Sequence, residues 1–233
     1  MSDAAIQIGL LIFPKITQLD MTGPYEAFAR IPGAKVHLIW KNLEPLFSDT
    51  GMPLLPTVTL NECPPLDVIC IPGGPGQVDL MDDEEVLEFV RRQGLQARYV
   101  TSVCTGALVL GAAGLLDGYQ ATTHWASMDN LEYFGAKPVA TRVCIDRNRI
   151  TGGGITAGID FGLHLAGVLA GRETAERIQL FLEYAPEPPF NAGSPEHAPK
   201  AVVETLSAAI APMLARRKEA TVRAAERLRA QAR

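Results

Sequence analysis

Continuous runs of apolar residues predict a series of buried β-strands along the chain. The runs do not alternate with polar residues, and unbroken apolar strands are typical of parallel sheets that are covered on both faces. The predicted strands cover residues 6–13, 35–40, 66–74, 98–103 and 148–154. This pattern indicates a largely parallel sheet at the centre of the molecule.

Helical patterns occupy the intervals between these strands. The predicted helices cover residues 22–31, 82–95, 106–116 and 157–171. The second of them has acidic residues in its first turn and arginines near its end, which suits the helix dipole. Strands that alternate with helices predict an open α/β sandwich.

The C-terminal part of the chain departs from this alternation. Residues 184–199 are rich in proline and are expected to be extended. Residues 200–233 are predicted to form one or two amphipathic helices, with a break at Pro212. We therefore divide the chain into an α/β domain, residues 1–199, and a helical extension, residues 200–233, packed on the domain or in a dimer.

Basic residues dominate the end of this extension, with six arginines and one lysine from Arg216 onward against Glu219 and Glu226. One interpretation is an arm that binds nucleic acid. We favour a solvated helix face or a dimer-packing element, because the extension is too short for a helix-turn-helix module with its own core. No nucleic-acid partner is therefore expected.

Composition narrows the class of protein. The chain has 233 residues, of which 47% are hydrophobic and 20% charged, and its net charge is −5. These values are typical of a globular domain and disfavour non-specific binding to nucleic acid or anionic membranes. Residues 99–116 carry no charge, but a buried strand and helix explain them better than a membrane span. We read no targeting segment at the N-terminus and expect a cytoplasmic protein.

The four cysteines form no C-x-x-C pair, and no histidine lies at zinc-ligand spacing from them. We therefore expect reduced thiols and no metal site. Cys63, Cys70 and Cys144 are expected to be structural, with Cys70 in the core.

Cys104 differs because it lies where a predicted strand meets a predicted helix. In doubly wound sheets ligands bind beyond the carboxyl ends of the strands, and a helix N-terminus favours a thiolate. The motif "SVCTG" is similar to a nucleophile elbow in which cysteine replaces serine. A small buried hydrophobe is the competing interpretation, and the local pattern leaves both open.

Other polar and glycine-rich segments follow predicted strands at the same edge of the sheet. The turn "IPGGPG", residues 71–76, is either an oxyanion hole or only a tight turn. Asp20 either faces the thiol, if its strand neighbours the Cys104 strand, or caps the helix at residues 22–31. The segment "TGGGITAG", residues 151–158, matches a dinucleotide fingerprint only weakly, so we interpret it as a loop bordering the cleft. His124 is the best histidine candidate, but no motif fixes a dyad with Cys104.

The motifs "IPGG", "SVCTGALVLGAAGLLDG", "ATTHW" and "TGGGITAGID" resemble the DJ-1/PfpI superfamily of class I glutamine-amidotransferase-like proteins. Within it, "FPKITQLDMTGPYEAF" and "LEYAPEPPFNAGSP" resemble the bacterial isocyanide (isonitrile) hydratase subgroup, and the resemblance covers the whole chain. It implies a flavodoxin-like three-layer sandwich and a homodimer. It also implies a nucleophile at Cys104, a proton donor at Asp20 and an oxyanion-hole-like pocket at the amides of Gly74 and Thr105.

The activity that the resemblance implies is hydration of a small-molecule isocyanide to an N-substituted formamide, with no cofactor and no metal. The residues expected to line the substrate pocket are His124, Trp125, Gly153 and Ile155. Many superfamily members have glutamate at the acidic position, so Asp20 counts against their glyoxalase, deglycase and redox-chaperone branches. Two alternatives remain: another cysteine-dependent enzyme such as a glyoxalase, or a non-enzymatic stress protein that uses Cys104 as a redox sensor.

Overall fold

The computed structural model describes residues 5–231. Residues 1–4 of the predicted α/β domain and residues 232–233 of the predicted extension lie outside the described part. The strands that it contains are β1 (Ile6–Leu11), β2 (Ala34–Trp40), β3 (Leu46–Phe47), β4 (Pro53–Leu54), β5 (Val58–Thr59), β6 (Val68–Ile71), β7 (Tyr99–Val103), β8 (Gln120–Ala121), β9 (Lys137–Pro138), β10 (Val143–Asp146) and β11 (Arg149–Gly152).

Seven of these strands form one central sheet in the order β10-β11-β7-β6-β1-β2-β5. All neighbours pair in parallel except β10 and β11, which are antiparallel. The chain proceeds outward from β1 in opposite directions, through β2 on one side and β6 on the other. The strand order therefore reverses between β1 and β6, which is where α/β proteins bind ligands. Here the loops after these two strands are in close contact, and the Thr17 N–H donates to the Gly73 carbonyl oxygen at 3.0 Å.

Helices cover both faces of the sheet, which confirms the predicted three-layer α/β architecture. The helices are α1 (Gln18–Phe28), α2 (Gln77–Leu80), α3 (Glu84–Gln96), α4 (Gly106–Ala112), the 3₁₀ helix Trp125–Phe134, α5 (Ala157–Ala170), α6 (Arg172–Phe181) and α7 (Lys200–Gln231). Helices α1 and α5 pack together on one side, whereas α3, α4 and α7 form the other layer. The uncharged segment from residue 99 onward consists of the buried strand β7 and the buried helix α4.

Helix α1 begins four residues earlier than the sequence predicts. Its N-cap is Thr17, and Asp20 lies in the first turn with its side chain fully buried. The alternative in which Asp20 caps the helix is therefore wrong. Pro24 is the seventh residue of the helix, where it removes the N–H that would donate to the Asp20 carbonyl oxygen.

Helix α7 is one continuous helix from Lys200 to Gln231, so the predicted break at Pro212 is wrong. The stretch around Pro212 is exposed, and water can solvate the carbonyl that loses its partner there. The second half of α7 packs against α2, α4 and the 3₁₀ helix, with Ala220 and Ala224 buried. None of the helices within residues 5–231 is long and apolar enough to span a membrane.

Candidate active site

Cys104 occupies a sharp corner between β7 and α4. Its φ is 53°, a left-handed conformation that residues other than glycine rarely adopt. Such strain persists where the surrounding structure enforces it, and it is common at functional sites. Gly106 is required next to the corner, because a Cβ there would overlap the carbonyl oxygen of Ile71.

Hydrogen bonds on both sides of Cys104 hold the corner. Its N–H donates to the Gly152 carbonyl oxygen at 3.1 Å, which continues the pairing of β7 with β11. The Thr123 hydroxyl donates to the Cys104 carbonyl oxygen at 2.7 Å. The thiol-bearing residue is therefore fixed by the sheet and by the segment that contains His124.

Asp20 reaches Cys104 across an intervening strand. The condition set from the sequence, that their two strands are neighbours, is not met, because β6 lies between β1 and β7. The crossing is made at Gly73 in the loop after β6, whose N–H donates to Asp20 Oδ2 at 2.8 Å. A Cβ at Gly73 would lie 2.7 Å from that oxygen and 2.6 Å from the Thr105 nitrogen.

Burial raises the pKa of the Asp20 carboxyl to about 7. The Gly73 N–H and the neighbouring Cys104 thiol act in the opposite direction, and the charge of Asp49 adds to the increase. The second carboxylate oxygen, Oδ1, is buried and has no hydrogen-bond partner among the described residues. Asp20 can therefore hold a proton at neutral pH, as an acid–base residue requires.

The Cys104 thiol has a pKa well above its ordinary value, chiefly because it is buried and next because Asp20 is negatively charged. The Thr105 N–H at the start of α4 favours the thiolate, but it is outweighed. The helix terminus thus acts in the direction that the sequence predicts, but burial has the larger effect. A proton that moves from Cys104 to Asp20 creates the thiolate without changing the total charge of the buried pair.

The two amides predicted to form an oxyanion-hole-like pocket differ in their partners. The Thr105 N–H lies beside the Cys104 sulfur. The Gly74 N–H donates to the Thr105 hydroxyl at 3.2 Å, so it is engaged in this structure. Gly74 adopts a positive φ of 136° and Thr105 is almost fully buried, so both are held rigidly at the corner.

A cavity of about 500 Å³ is lined by all four residues predicted for the substrate pocket: His124, Trp125, Gly153 and Ile155. Neither Cys104 nor Asp20 lines it, and its link to the corner is Thr123, which bonds the Cys104 carbonyl oxygen. Thr123 and Met128 contribute to the same wall, and the proline-rich segment closes the opposite side with Gly193–Glu196. The cavity joins apolar surfaces to a few hydroxyl and ring nitrogen groups, which is typical of small-molecule sites.

His124 caps the 3₁₀ helix, and its Nδ1 accepts a hydrogen bond from the Ala126 N–H at 3.3 Å. Burial and the charge of Arg217 lower the pKa of His124, which favours the neutral ring. Among the hydrogen bonds of the described residues none joins His124 to Cys104. The geometry thus favours Asp20, not His124, as the acid–base partner of the thiol.

Two functional positions escaped the sequence analysis. Gly73 is part of a glycine-rich turn, but nothing in the turn shows that the Asp20 side chain of α1 approaches its backbone. Thr123 lies in the quoted "ATTHW" motif, where only the histidine and tryptophan attracted attention. No group of three or more His, Cys, Asp or Glu side chains within residues 5–231 is arranged to hold a metal ion.

Comparison with known proteins places these residues in a family. A model described as the DJ-1/PfpI family matches residues 7–167. An isonitrile hydratase from Pseudomonas putida is 59% identical over 224 residues, which are 96% of this chain and 98% of that protein. A glutathione-independent glyoxalase from Caenorhabditis elegans is 28% identical over 148 residues, which are 63% of this chain and 79% of that protein.

A solved structure agrees closely with the fold over nearly the whole chain. The crystal structure of a THiJ/PfpI family protein from Pseudomonas syringae superposes with a TM-score of 0.92 at 44% identity. The match covers 94% of this chain and 91% of that one, so it extends beyond residues 7–167 into the C-terminal part.

Replacing Gly73 with alanine should disrupt the site. The new methyl group would push the Asp20 carboxylate and the Thr105 amide apart, and the Thr105 nitrogen belongs to the backbone and cannot yield cheaply. We expect about 2 kcal/mol of lost stability, as for other overpacked cores. We also expect the reactivity of Cys104 toward iodoacetamide to change, measured by mass spectrometry of its peptide.

The matched control is Gly167→Ala. A methyl group there would make an ordinary 3.6 Å contact with Ala175, far from the site. This variant should keep the parent's stability and Cys104 reactivity. If Gly73→Ala behaved like Gly167→Ala in both measurements, the close contacts of Gly73 with Asp20 and Thr105 would not determine the geometry of the site.

Proposed function

The chain belongs to the DJ-1/PfpI family, and from that premise we propose that it is an isocyanide hydratase that converts R–N≡C and water to R–NH–CHO. The observation that carries the proposal is the 59% identity, over nearly the full length of both chains, to the isonitrile hydratase of Pseudomonas putida. The coupled Cys104–Asp20 pair supplies the nucleophile and the proton that this addition needs.

The first step forms a covalent intermediate. Asp20 accepts the proton of the Cys104 thiol, and the sulfur attacks the terminal carbon of the isocyanide. The same carboxyl delivers the proton to that carbon, which gives the thioimidate R–N=CH–S–Cys104 and returns Asp20 to its carboxylate form. A carboxyl with a pKa of about 7 suits both transfers.

The second step releases the product. Water adds to the thioimidate carbon while Asp20 accepts one of its protons and passes that proton to the nitrogen, which gives R–NH–CH(OH)–S–Cys104 and leaves Asp20 as a carboxylate. The carbon–sulfur bond then breaks, the hydroxyl group becomes the formyl oxygen, and the proton it loses restores the thiol. The Thr105 N–H stabilises the sulfur when it carries negative charge.

The cavity lined by Thr123 and His124 would hold the R group. Trp125, Met128 and Ile155 offer apolar contact area, and the volume of about 500 Å³ suits an aryl or alkyl isocyanide. His124 and Gly153 would border the reacting end. In this assignment Gly74 holds the Thr105 hydroxyl in place through its N–H. That N–H could donate to the substrate only if its bond to Thr105 broke.

We further propose that the enzyme acts as a cytoplasmic homodimer, with residues 1–199 as the catalytic domain and residues 200–233 as its helical extension. Support for self-association comes from large apolar side chains at the surface, including Leu180 and Phe181, which are 80% and 71% exposed. Exposed apolar surface of this kind is common at interfaces between subunits.

Cys104→Ala should abolish formamide production from an aryl isocyanide, because the covalent route loses its nucleophile. The measurement is formamide formation by pure protein, with uncatalysed hydration subtracted. Cys63→Ala is the matched control, since Cys63 is a half-buried thiol in a separate loop. Full turnover by Cys104→Ala would contradict the mechanism.

The same assay separates the alternatives. A glyoxalase would turn over methylglyoxal and leave isocyanide unchanged. A redox sensor would turn over neither substrate, and mild peroxide would convert Cys104 to a sulfinate.

The pH dependence of kcat/KM should follow Asp20. The pair is active with one proton, and as the pH falls through the Asp20 pKa it binds a second proton and loses activity. We therefore expect kcat/KM to rise between pH 5 and 8 with a midpoint of about 7 and then to stay level, because the thiol pKa is much higher. His124→Gln should keep that midpoint. A midpoint that disappeared in this variant would assign the titration to His124 instead.

A further inference from the structure

A guanidinium group is buried behind the site without a carboxylate partner. Arg217 of α7 is 3% exposed. Its Nε donates to Gln77 Oε1 at 3.1 Å and one terminal nitrogen donates to the Ser127 hydroxyl at 3.0 Å. The other terminal nitrogen lies 3.6 Å from the Met213 sulfur. All three partners are neutral, and no salt bridge of Arg217 occurs among the described residues.

The neighbouring arginines of α7 show that carboxylates are within reach of this helix. Arg216 pairs with Asp79, and Arg223 and Arg227 both pair with Asp82. These three arginines lie at the surface, where ion pairs contribute little. The one arginine of this helix that is buried, and would gain most from a counter-charge, has none in direct contact.

Arg217 bridges the two segments that flank the Cys104 corner. Gln77 opens α2 directly after the "IPGGPG" turn, and Ser127 lies in the 3₁₀ helix three residues after His124. The guanidinium is close enough for its charge to lower the pKa of both the Cys104 thiol and the His124 ring. Arg149 is also buried, but it lies at the start of β11, whereas Cys104 contacts Gly152 at the end of that strand. Its guanidinium stacks on the Tyr119 ring.

Two charged side chains act on Cys104 from opposite layers of the fold. Asp20 approaches from α1 and Arg217 from α7, whereas His124 on the 3₁₀ helix is kept neutral. Asp79 and Asp82, near α2, are already paired with the surface arginines. At neutral pH the Asp20–Cys104 pair carries up to one negative charge, and Arg217 is the buried cation that can balance it.

We propose that Arg217 is a positioning residue that balances the negative charge of the Asp20–Cys104 pair and thereby promotes ionisation of the nucleophile. The inference rests on the proposed role of Cys104. It means that α7, which lies outside residues 7–167, supplies part of the electrostatics of the site. A role restricted to fastening α7 to the domain would need the hydrogen bonds of Arg217 but not its charge.

The test is the pH profile of Cys104 alkylation by iodoacetamide, followed by mass spectrometry of the Cys104 peptide. Arg217→Met should move the midpoint upward by about one pH unit, which lowers the rate about tenfold below the midpoint. Arg217→Lys, which keeps the charge but not the planar group, should restore most of the rate. The control Arg216→Met removes a surface arginine one residue away and should leave the profile unchanged.

A second variant keeps the test decisive if Arg217→Met does not fold. Gln77→Glu places a carboxylate against the Arg217 Nε, which strengthens the contact and neutralises the charge. Charge balance predicts an upward shift of the alkylation midpoint in this variant, whereas a purely structural role predicts none. An unchanged midpoint in folded Gln77→Glu, or in folded Arg217→Met, would overturn the proposal.

Parallel assays with an aryl isocyanide separate this inference from the proposed function. A shifted alkylation midpoint in a protein without hydratase activity would support the role of Arg217 and reject the assigned reaction. Hydratase activity in the parent with no shift in the variants would do the reverse. In an active enzyme we expect Arg217→Met to lower kcat about tenfold with little change in KM, since Arg217 does not line the cavity.

Discussion

The site depends on glycine at residue 73, because any side chain there would collide with the Asp20 carboxylate. Asp20 and Cys104 follow strands that are separated by β6, so their side chains can meet only across the loop at its carboxyl end. Gly73 provides the passage and also donates its N–H to the carboxylate. The strained corner at Cys104 and the tight approach of Gly106 to β6 complete the same close packing. The Asp20 and Cys104 side chains come together because the closely packed backbone at Gly73 and Gly106 fixes the position of each.

Burial then determines the chemistry of the pair. Removal from water raises the pKa of both the Asp20 carboxyl and the Cys104 thiol, so neither ionises as readily as it would at the surface. A proton shared between them avoids the creation of a second buried charge. The guanidinium of Arg217 stands where it can balance the single negative charge that remains. The reactivity of the thiol is thus a property of three elements of the fold, and the helix terminus at Thr105 is only one contributor.

Local patterns predicted the five inner strands of the central sheet, the helices α1, α3, α4 and α5 and the corner at Cys104, because these features are encoded by neighbouring residues. Asp20 was identified as a candidate, but its route to the thiol was not, because strand order is set by tertiary packing. The continuity of α7 through Pro212 was missed since exposure removes most of the penalty of a missing hydrogen bond. Arg217 was counted among surface charges, although it shares one helix face with Ala220, Thr221 and Ala224. A basic residue on a stripe of small residues was the overlooked signal.

The central claim is that Cys104 bonds covalently to the isocyanide carbon. Rapid acid quenching during turnover of an aryl isocyanide, followed by mass spectrometry of the Cys104 peptide, tests it most directly. The account predicts a transient mass increase equal to that of the whole isocyanide on Cys104, which decays as formamide accumulates. Formamide production with no adduct on Cys104 at any quench time would contradict the account.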